Sequence, residues 1–364
     1  MRARITAEVL LCAALMGAQP RAVHRSMLLI DTHSDWPNAI VKARAGKPPK
    51  ATHTDATRLR AGNVGGLFFA AYVPADYAKT PGASARRARE LIELIRTDII
   101  ERYPGTFAFA RTASDIEAAR RAGKIAALIG IEGGHVIENS LAPLREFRDA
   151  GVRYITLTHS NTNRWADSSG DMKKADVERH GGLTAFGREV VREMNRLGIM
   201  VDISHVSDDT FYQALEITRA PLIASHSSCR ALTGHARNMT DDMIRALAKK
   251  HGVIHINFAC EFTSPESLVA SERRPKPEVI PRATLAQVVA HIDHAVKTGG
   301  IDSVGIGSDF DGITCTPEGL DDVSNFPSLT RALLDKGYTD AQIRKIYGQN
   351  TLRVMREVER AAAR

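Results

Sequence analysis

The chain has 364 residues, of which 43% are hydrophobic and 25% are charged, and this composition argues against a disordered or fibrous protein. A formal charge of +7 would suit a nucleic acid, but only 5% of the residues are aromatic and the basic residues are scattered along the chain. No recognition motif accompanies them, so we expect no nucleic-acid partner.

The first 26 residues differ from the rest of the chain. Arg2 and Arg4 precede an apolar run, Val9–Ala18, that ends in small residues, a pattern typical of a secretory signal peptide. The run is short and Glu8 lies at its edge, so a disordered extension is the alternative. A signal peptide would place the protein in the periplasm or outside the cell, and an extension would leave it in the cytoplasm. No stretch of about twenty apolar residues occurs, so we expect no transmembrane span.

From Met27 onward, short apolar runs alternate with amphipathic helical patterns. Eight runs are predicted strands: Met27–Ile30, Val64–Tyr72, Ile125–Ile131, Tyr154–Thr158, Ile199–Ile203, Leu222–Ala224, Val253–Phe258 and Val304–Ile306. Helices are predicted at Ala85–Glu101, Ala113–Arg121, Leu183–Leu197, Asp208–Thr218, Asp241–Lys250 and Leu285–Thr298. Extra C-terminal helices are predicted at Pro327–Lys336, at Asp340–Tyr347 and from there to about Glu359, whereas proline-rich Arg273–Pro281 is a predicted loop.

This alternation predicts the fold class. Near-continuous apolar strands that alternate with helices indicate a parallel sheet covered by helices. Eight such units favour closure into a (β/α)8 barrel of the TIM type over an open sheet. Nothing in the composition resembles a linker, so residues 27–364 are predicted to form a single domain with extra C-terminal helices.

Five of the predicted strands end in side chains that bind metals. His33 and Asp35 follow the first strand two residues apart, and Glu132 follows a run of apolar residues, where an unpaired carboxylate would be costly. Further candidates follow the fifth, sixth and eighth strands, at His205, His226 and Asp309. A lone histidine at a strand end is more often structural. Because the strand ends of a barrel meet at one mouth, five such ends together favour a metal site.

Three other histidines need separate interpretation. His159 follows the fourth strand and is predicted at the mouth, where it can contact a substrate. His291 and His294 are spaced as a metal pair on a helix, but that helix lies outside the barrel, so a solvent or packing role is expected. The four cysteines, Cys12, Cys229, Cys260 and Cys315, are isolated in sequence, so whether any of them pair stays open.

Seven motifs in this order resemble the membrane (renal) dipeptidase family, peptidase family M19 of the amidohydrolase superfamily. The similarity spans Asp31 to the C-terminal helix. It rests on DTHSD (Asp31–Asp35), GIEGGH (Gly130–His135), LTHSNTNRWADSS (Leu157–Ser169), GLTAFGREVVREMNRLGIMVDISH (Gly182–His205), ASHSSCRAL (Ala224–Leu232), ARNMTDD (Ala236–Asp242) and GIGSDFDG (Gly305–Gly312).

The resemblance implies two zinc ions per chain, held by His33 and Asp35 on one side and by His205 and His226 on the other, with Glu132 bridging. It implies a hydroxide shared by both ions as the nucleophile. It also implies a dipeptide substrate and a homodimer, and it permits a C-terminal D-residue or a related amide such as a β-lactam.

By the same resemblance, three residues would serve the substrate. His159 would hydrogen-bond the scissile carbonyl or the oxyanion, Arg237 would bind the terminal carboxylate, and Asp309 would transfer protons. From the residues alone, a surface salt bridge for Arg237 and a helix N-cap for Asp309 are the alternatives.

Two other functions compete with a zinc dipeptidase. One is another binuclear amidohydrolase, such as a cyclic amidase or deaminase. Such sites often use an H-x-H pair or a carbamylated lysine, whereas this chain has H-x-D at His33 and Asp35 and a glutamate at Glu132. The other is a barrel retained only for binding, but no ligand position is lost and Asp309 is present.

Overall fold

The computed structural model describes residues 20–48, 51–273 and 279–362. Nine parallel strands form one sheet: β1 (Leu29–Ser34), β2 (Val64–Tyr72), β3 (Phe107–Phe109), β4 (Ile125–Glu132), β5 (Val152–Thr156), β6 (Met200–Asp202), β7 (Ile223–Ser227), β8 (Val253–Ile256) and β9 (Val304–Ile306). Their order is β2-β1-β9-β8-β7-β6-β5-β4-β3, and β2 also pairs with β4. This second pairing closes eight strands into a barrel, so the predicted fold class is confirmed.

The ninth strand, β3, lies outside the closed ring. Its residues pair with Ile125 to Ala127 at the start of β4, and β5 pairs with the same edge of β4 from Ile129 onward. Strand β3 therefore extends the sheet beside the first half of β4. This strand was not predicted, because its apolar run, Phe107–Ala110, is short and follows closely on Pro104 and Gly105.

Helices cover the outside of the barrel. They span Trp36–Arg44, Ala56–Ala61, Ala83–Leu94, Ala113–Arg121, Leu141–Asp149, Ala185–Leu197, Asp208–Ile217, Asp241–Lys249, Cys260–Thr263, Pro265–Glu272, Leu285–Gly299, Phe326–Asp335, Asp340–Arg344 and Asn350–Ala362. Wider π-helical turns continue two of them, at Ile95–Glu101 and Lys345–Gln349. Each predicted helix is present with its ends shifted by a few residues, and five of the helices given above were not predicted: Trp36–Arg44, Ala56–Ala61, Leu141–Asp149, Cys260–Thr263 and Pro265–Glu272.

Some predictions fall wholly or partly outside the described residues. The predicted signal peptide lies mainly in residues 1–19, and most of the predicted loop lies in residues 274–278. Residues 20–26 are helical, and the division of the chain at Met27 stays a prediction. In the parts that the structure does describe, no helix is both long and apolar enough to cross a bilayer.

Strand β1 ends later in the chain than predicted and includes the predicted metal ligand His33. It ends at Ser34 rather than Ile30, because the buried carboxylate of Asp31 is satisfied inside the sheet. Ser308 donates to Asp31 from its backbone N–H at 2.8 Å and from its hydroxyl at 2.5 Å. A hydrogen-bonded carboxylate is tolerated in a strand interior, so β1 continues through His33 toward the mouth.

The inward-facing side chains close the end of the barrel opposite the mouth. Ile30, Phe68 and Tyr154 pack in one buried cluster with Leu352 and Met355 of the last helix. The larger buried cluster lies between the strands and the outer helices. The two ends of the barrel therefore differ: apolar side chains fill one end, and polar side chains lie at the other.

A disulfide joins the segments that follow β8 and β9. Cys260 and Cys315 are bonded, with 5.6 Å between their Cα atoms, and Cys229 is buried and pairs with no cysteine in the described ranges. The pairing of these three cysteines is thereby known, whereas Cys12 lies outside the described residues. Disulfides are typical of exported proteins; the location of this protein stays a prediction.

The Cys260–Cys315 bond is expected to contribute about 4 kcal/mol to the free energy of unfolding, by the loop-closure relation for its separation of 55 residues. The double variant Cys260→Ser/Cys315→Ser should therefore show a lower denaturant midpoint. Unfolding in urea, with and without reductant, measures this. Reductant should lower the urea midpoint of the wild-type protein and leave that of the double variant unchanged. A wild-type midpoint that is the same with and without reductant would contradict the presence of the bond.

Candidate metal centre and active site

The five predicted metal ligands converge at the mouth of the barrel. His33 lies in β1, Glu132 is the last residue of β4 and His226 lies in β7, whereas Asp35 and His205 follow β1 and β6. All five are buried, and the most exposed, His205, shows 8% of its surface. The structure thus brings together side chains that are up to about 190 residues apart in the chain (His33 to His226).

Glu132 lies between two groups of donor atoms. Its Oε1 is 2.9 Å from Nε2 of His205 and 3.2 Å from Nε2 of His226. Its Oε2 is 3.7 Å from Nε2 of His33, which in turn is 3.3 Å from Oδ2 of Asp35. The two oxygens of one carboxylate therefore face two different sets of ligands, which is the arrangement that a bridging glutamate requires.

Bound metal ions would explain the positions of these donor atoms better than hydrogen bonds among the side chains do. The Nε2 atom of His33 is buried and has no hydrogen-bond partner in the part of the chain that the structure describes. The Nε2 atoms of His205 and His226 face each other at 3.0 Å. Buried nitrogen atoms normally have partners, so these atoms fit a group that accepts their lone pairs. Imidazole and carboxylate ligands in tight groups suit zinc or a similar transition metal.

Hydrogen bonds to the far side of two imidazoles fix their orientation. The Nδ1 atom of His33 is 2.8 Å from the hydroxyl of Tyr154, and Nδ1 of His226 is 2.8 Å from the hydroxyl of Ser225. Ser225 itself donates to Oδ2 of Asp202 at 2.6 Å. If each Nδ1 donates its hydrogen, each Nε2 keeps a free lone pair toward Glu132, as metal-binding histidines require.

The sequence analysis missed these supporting residues. Tyr154 and Asp202 lie in predicted strands and Ser225 directly follows one, and none of the three was assigned a role at the site. One signal was available: a tyrosine within a buried strand must find a partner for its hydroxyl. The partner itself could not be found, because Tyr154 and His33 are 121 residues apart.

Burial and nearby charges shift the pKa values of the residues at the site. Burial would raise the pKa of Glu132, but the charges of His159 and His33 and the hydrogen bonds from His205 and His226 hold this pKa well below its usual value. Burial lowers the pKa of His205 and of His226 well below the usual value of histidine. At His205 and His226 the centre therefore favours an ionised carboxylate beside neutral imidazoles, the states in which both bind metals. Burial would also lower the pKa of His33, but Tyr154 and the carboxylates of Glu132 and Asp35 raise it well above its usual value.

His159 and Asp309 flank the ligand cluster on the side open to the cavity. Nε2 of His159 is 3.8 Å from Oε1 of Glu132, and Oδ1 of Asp309 is 4.0 Å from Nε2 of His33. Asn257 donates to Asp309 at 2.9 Å. Burial raises the pKa of Asp309 to about 7, although the charge of His33 opposes this. Both predicted substrate residues are thus within reach of a group bound at the ligand cluster.

His205 and Asp309 share an uncommon backbone conformation. Their φ angles are 68° and 65°, in the left-handed region that residues other than glycine rarely adopt. Such backbone strain is often found at functional sites, where the surrounding structure holds it in place. Here the chain turns sharply as it leaves β6 and β9, and both side chains stay at the mouth.

Arg237 also lines the cavity and is buried. It donates from one terminal nitrogen to the carbonyl of His226 at 3.0 Å and from the other to the hydroxyl of Ser227 at 3.3 Å. Its Nε has no partner, and within the described ranges it forms no ion pair within 4 Å. The surface salt bridge considered as an alternative is therefore not its role, and its guanidinium is available to an anionic group.

A cavity of about 490 Å³ contains the residues predicted for the substrate. His159, Arg237 and Asp309 line it together with Asp35, Glu132 and His205. Its size is that of a small-molecule site. His291 and His294 lie elsewhere, as expected: His291 accepts from the backbone N–H of Cys229, and His294 pairs with Asp241.

Two donor sets that share one glutamate at the mouth of a (β/α)8 barrel define a metal-dependent hydrolase of the amidohydrolase type. Comparison with known proteins gives the family. Residues 17–364 match the model of the membrane dipeptidase family, peptidase family M19, and the chain belongs to this family of metallo-dipeptidases.

Individual relatives agree with this membership. Dipeptidase verJ of Clonostachys rogersoniana is 41% identical over 346 residues, which cover 91% of this chain and 84% of that protein. The crystal structure of the probable dipeptidase PvdM from Pseudomonas aeruginosa has a TM-score of 0.83 at 25% identity, covering 95% of this chain and 98% of that one. A metallo peptidase from Rhodobacter sphaeroides, liganded with a phosphinate mimic of L-Ala-D-Ala, has a TM-score of 0.79 at 27% identity, covering 91% and 99%.

Proposed function

We propose that this dipeptidase binds two zinc ions and hydrolyses dipeptides with a free C-terminal carboxylate, including those that end in a D-residue. The observation that carries the proposal is the position of Glu132, whose two oxygens face separate ligand sets. Imidazole and carboxylate ligands support zinc. The ligand named for the Rhodobacter sphaeroides structure, a mimic of L-Ala-D-Ala, supports a C-terminal D-residue.

The residues around the centre would have different roles in amide hydrolysis. His33 and Asp35 would hold one ion, His205 and His226 the other, and Glu132 both. When bound, the pair of ions would polarise the scissile carbonyl and acidify a water molecule.

The remaining steps belong to three side chains. His159 donates a hydrogen bond to the carbonyl oxygen, on which negative charge develops during attack. Asp309 accepts a proton from the attacking water and returns it to the leaving nitrogen. Arg237 binds the terminal carboxylate and so orients the peptide.

Metal analysis and a substrate panel test the proposal together. We expect about two zinc ions per chain, hydrolysis of L,L and L,D dipeptides, and no hydrolysis of tripeptides, because Arg237 is fixed at one distance from the ligand cluster. Treatment with a chelator should remove activity, and added zinc should restore it. Activity that survives complete metal removal, or equal rates on tripeptides, would refute the proposal.

Tyr154→Phe is expected to weaken metal binding by roughly 10- to 100-fold, because it removes the hydroxyl that holds Nδ1 of His33 at 2.8 Å. Competition against a chelator of known affinity measures this loss. Tyr347→Phe is the matched control: Tyr347 is also fully buried, with its hydroxyl 2.8 Å from Thr330, but it lies away from the mouth. Equal metal affinity in the two variants would argue against the supporting role of Tyr154.

A further inference from the structure

The cavity wall beside Arg237 presents a second charged group, Glu261. This residue lies in the short helix Cys260–Thr263, lines the cavity and is partly buried. In the portion of the chain described by the structure, its carboxylate forms no ion pair within 4 Å, and its hydrogen bond is to its own backbone N–H. A partly buried carboxylate without a charged partner can pair with a cationic group that enters the cavity. Burial raises its pKa, which the charge of Arg237 opposes.

The backbone around Glu261 is fixed from several sides. The preceding residue, Cys260, is bonded to Cys315. Asn238 donates its side-chain N–H to the carbonyl of Phe262 at 2.9 Å, and Nε2 of His291 is 3.2 Å from the carbonyl of Thr263. The carboxylate is therefore presented to the cavity by a rigid wall rather than by a loose loop.

Glu261 does not neutralise Arg237. No ion pair within 4 Å joins the two described side chains, and Arg237 instead lies over the ring of Phe262, with its Cζ 5.3 Å from the ring centroid. The substrate carboxylate can therefore pair with Arg237 while Glu261 stays available to another group. The part of a dipeptide that extends from this carboxylate is the side chain of its C-terminal residue.

We propose that Glu261 selects dipeptides whose C-terminal residue has a cationic side chain, lysine or arginine. This rests on the proposed function, from which it takes the pairing of the substrate carboxylate with Arg237. The charged end of such a side chain pairs with the Glu261 carboxylate, and its methylene groups pack along Phe262. An acidic side chain at the same position is repelled, so the wall discriminates by charge.

Steady-state kinetics of Glu261→Gln on three substrates tests the inference: Ala-Lys, Ala-norleucine and Ala-Glu, each with the stereochemistry that the enzyme accepts. Norleucine keeps the stem of lysine without its charge. We expect the wild-type enzyme to prefer Ala-Lys over Ala-norleucine by roughly tenfold in kcat/KM. The variant should lose this preference and cleave Ala-norleucine at the wild-type rate. Glu266→Gln is the matched control, because Glu266 is exposed and bonds Ser264 outside the cavity.

Each outcome separates this inference from the function on which it rests. A wild-type enzyme that cleaves all three dipeptides equally overturns the role of Glu261 and leaves the dipeptidase proposal standing. So does a variant whose kcat/KM falls equally for all three, because Glu261 would then act through Arg237 or through the fold. A zinc-loaded wild-type enzyme that cleaves none of them overturns the proposed function and this inference with it.

Discussion

His205→Ala should lower kcat/KM for dipeptides by on the order of 10⁴-fold, the scale at which enzymes lose a member of an interdependent catalytic group. Nε2 of His205 is 2.9 Å from Oε1 of Glu132 and 3.0 Å from Nε2 of His226. Its removal leaves one ligand set with a single imidazole. The variant should therefore bind close to one zinc ion instead of two, while its far-ultraviolet circular dichroism stays that of the wild type.

His294→Ala is the matched control for this variant. His294 also pairs with a carboxylate, that of Asp241 at 2.7 Å, but it lies on the outer helix Leu285–Gly299. We expect its metal content and kcat/KM to equal those of the wild type. A His205→Ala enzyme that keeps two zinc ions and an unchanged rate would remove His205 from the centre, whatever its position in the structure.

The barrel could be predicted because its strands are buried on both faces. Such strands form continuous apolar runs, and the run predicted at Ile125–Ile131 matches β4 except for its last residue. Strand β3 could not be predicted, because it is short and covers only half of one neighbour. The helix Trp36–Arg44 was missed although the sequence carries two start signals for it, Asp35 at the N-cap and Pro37 in the first turn. Asp35 was assigned to the metal site instead.

The ligand positions could be predicted because strand ends converge in any closed barrel, wherever they lie in the sequence. The residues that orient these ligands could not be predicted. The ring of Tyr154 passes directly over Gly130, where a Cβ would lie 2.0 Å from its Cζ. Whether its hydroxyl reaches His33 depends on this fit between two strands. The role of Glu261 could not be predicted either. Its four-residue helix after β8 has no motif, and the position of this helix at the cavity depends on a disulfide partner 55 residues away from Cys260.

Arg237→Ala is expected to lower kcat/KM by on the order of 10²- to 10³-fold for dipeptides with a free C-terminal carboxylate, and far less for C-terminally amidated analogues. The reason is that the guanidinium is held in place before substrate arrives. Its bonds to the carbonyl of His226 and the hydroxyl of Ser227 leave Nε without a partner. Kinetics on matched pairs of free and amidated dipeptides measures the difference.

Arg120→Ala separates this effect from the general loss of a partly buried arginine. Arg120 donates to the carbonyl of Met27 at 2.9 Å and to the side chain of Asn63 at 3.2 Å, and it does not line the cavity. Its replacement should change free and amidated substrates alike, if it changes either. Equal losses on both kinds of substrate in Arg237→Ala would contradict the carboxylate role. A loss confined to the free acids would instead support the proposal that only dipeptides fit: the anchor and the ligand cluster are both fixed, so the distance between them would set the length of the substrate.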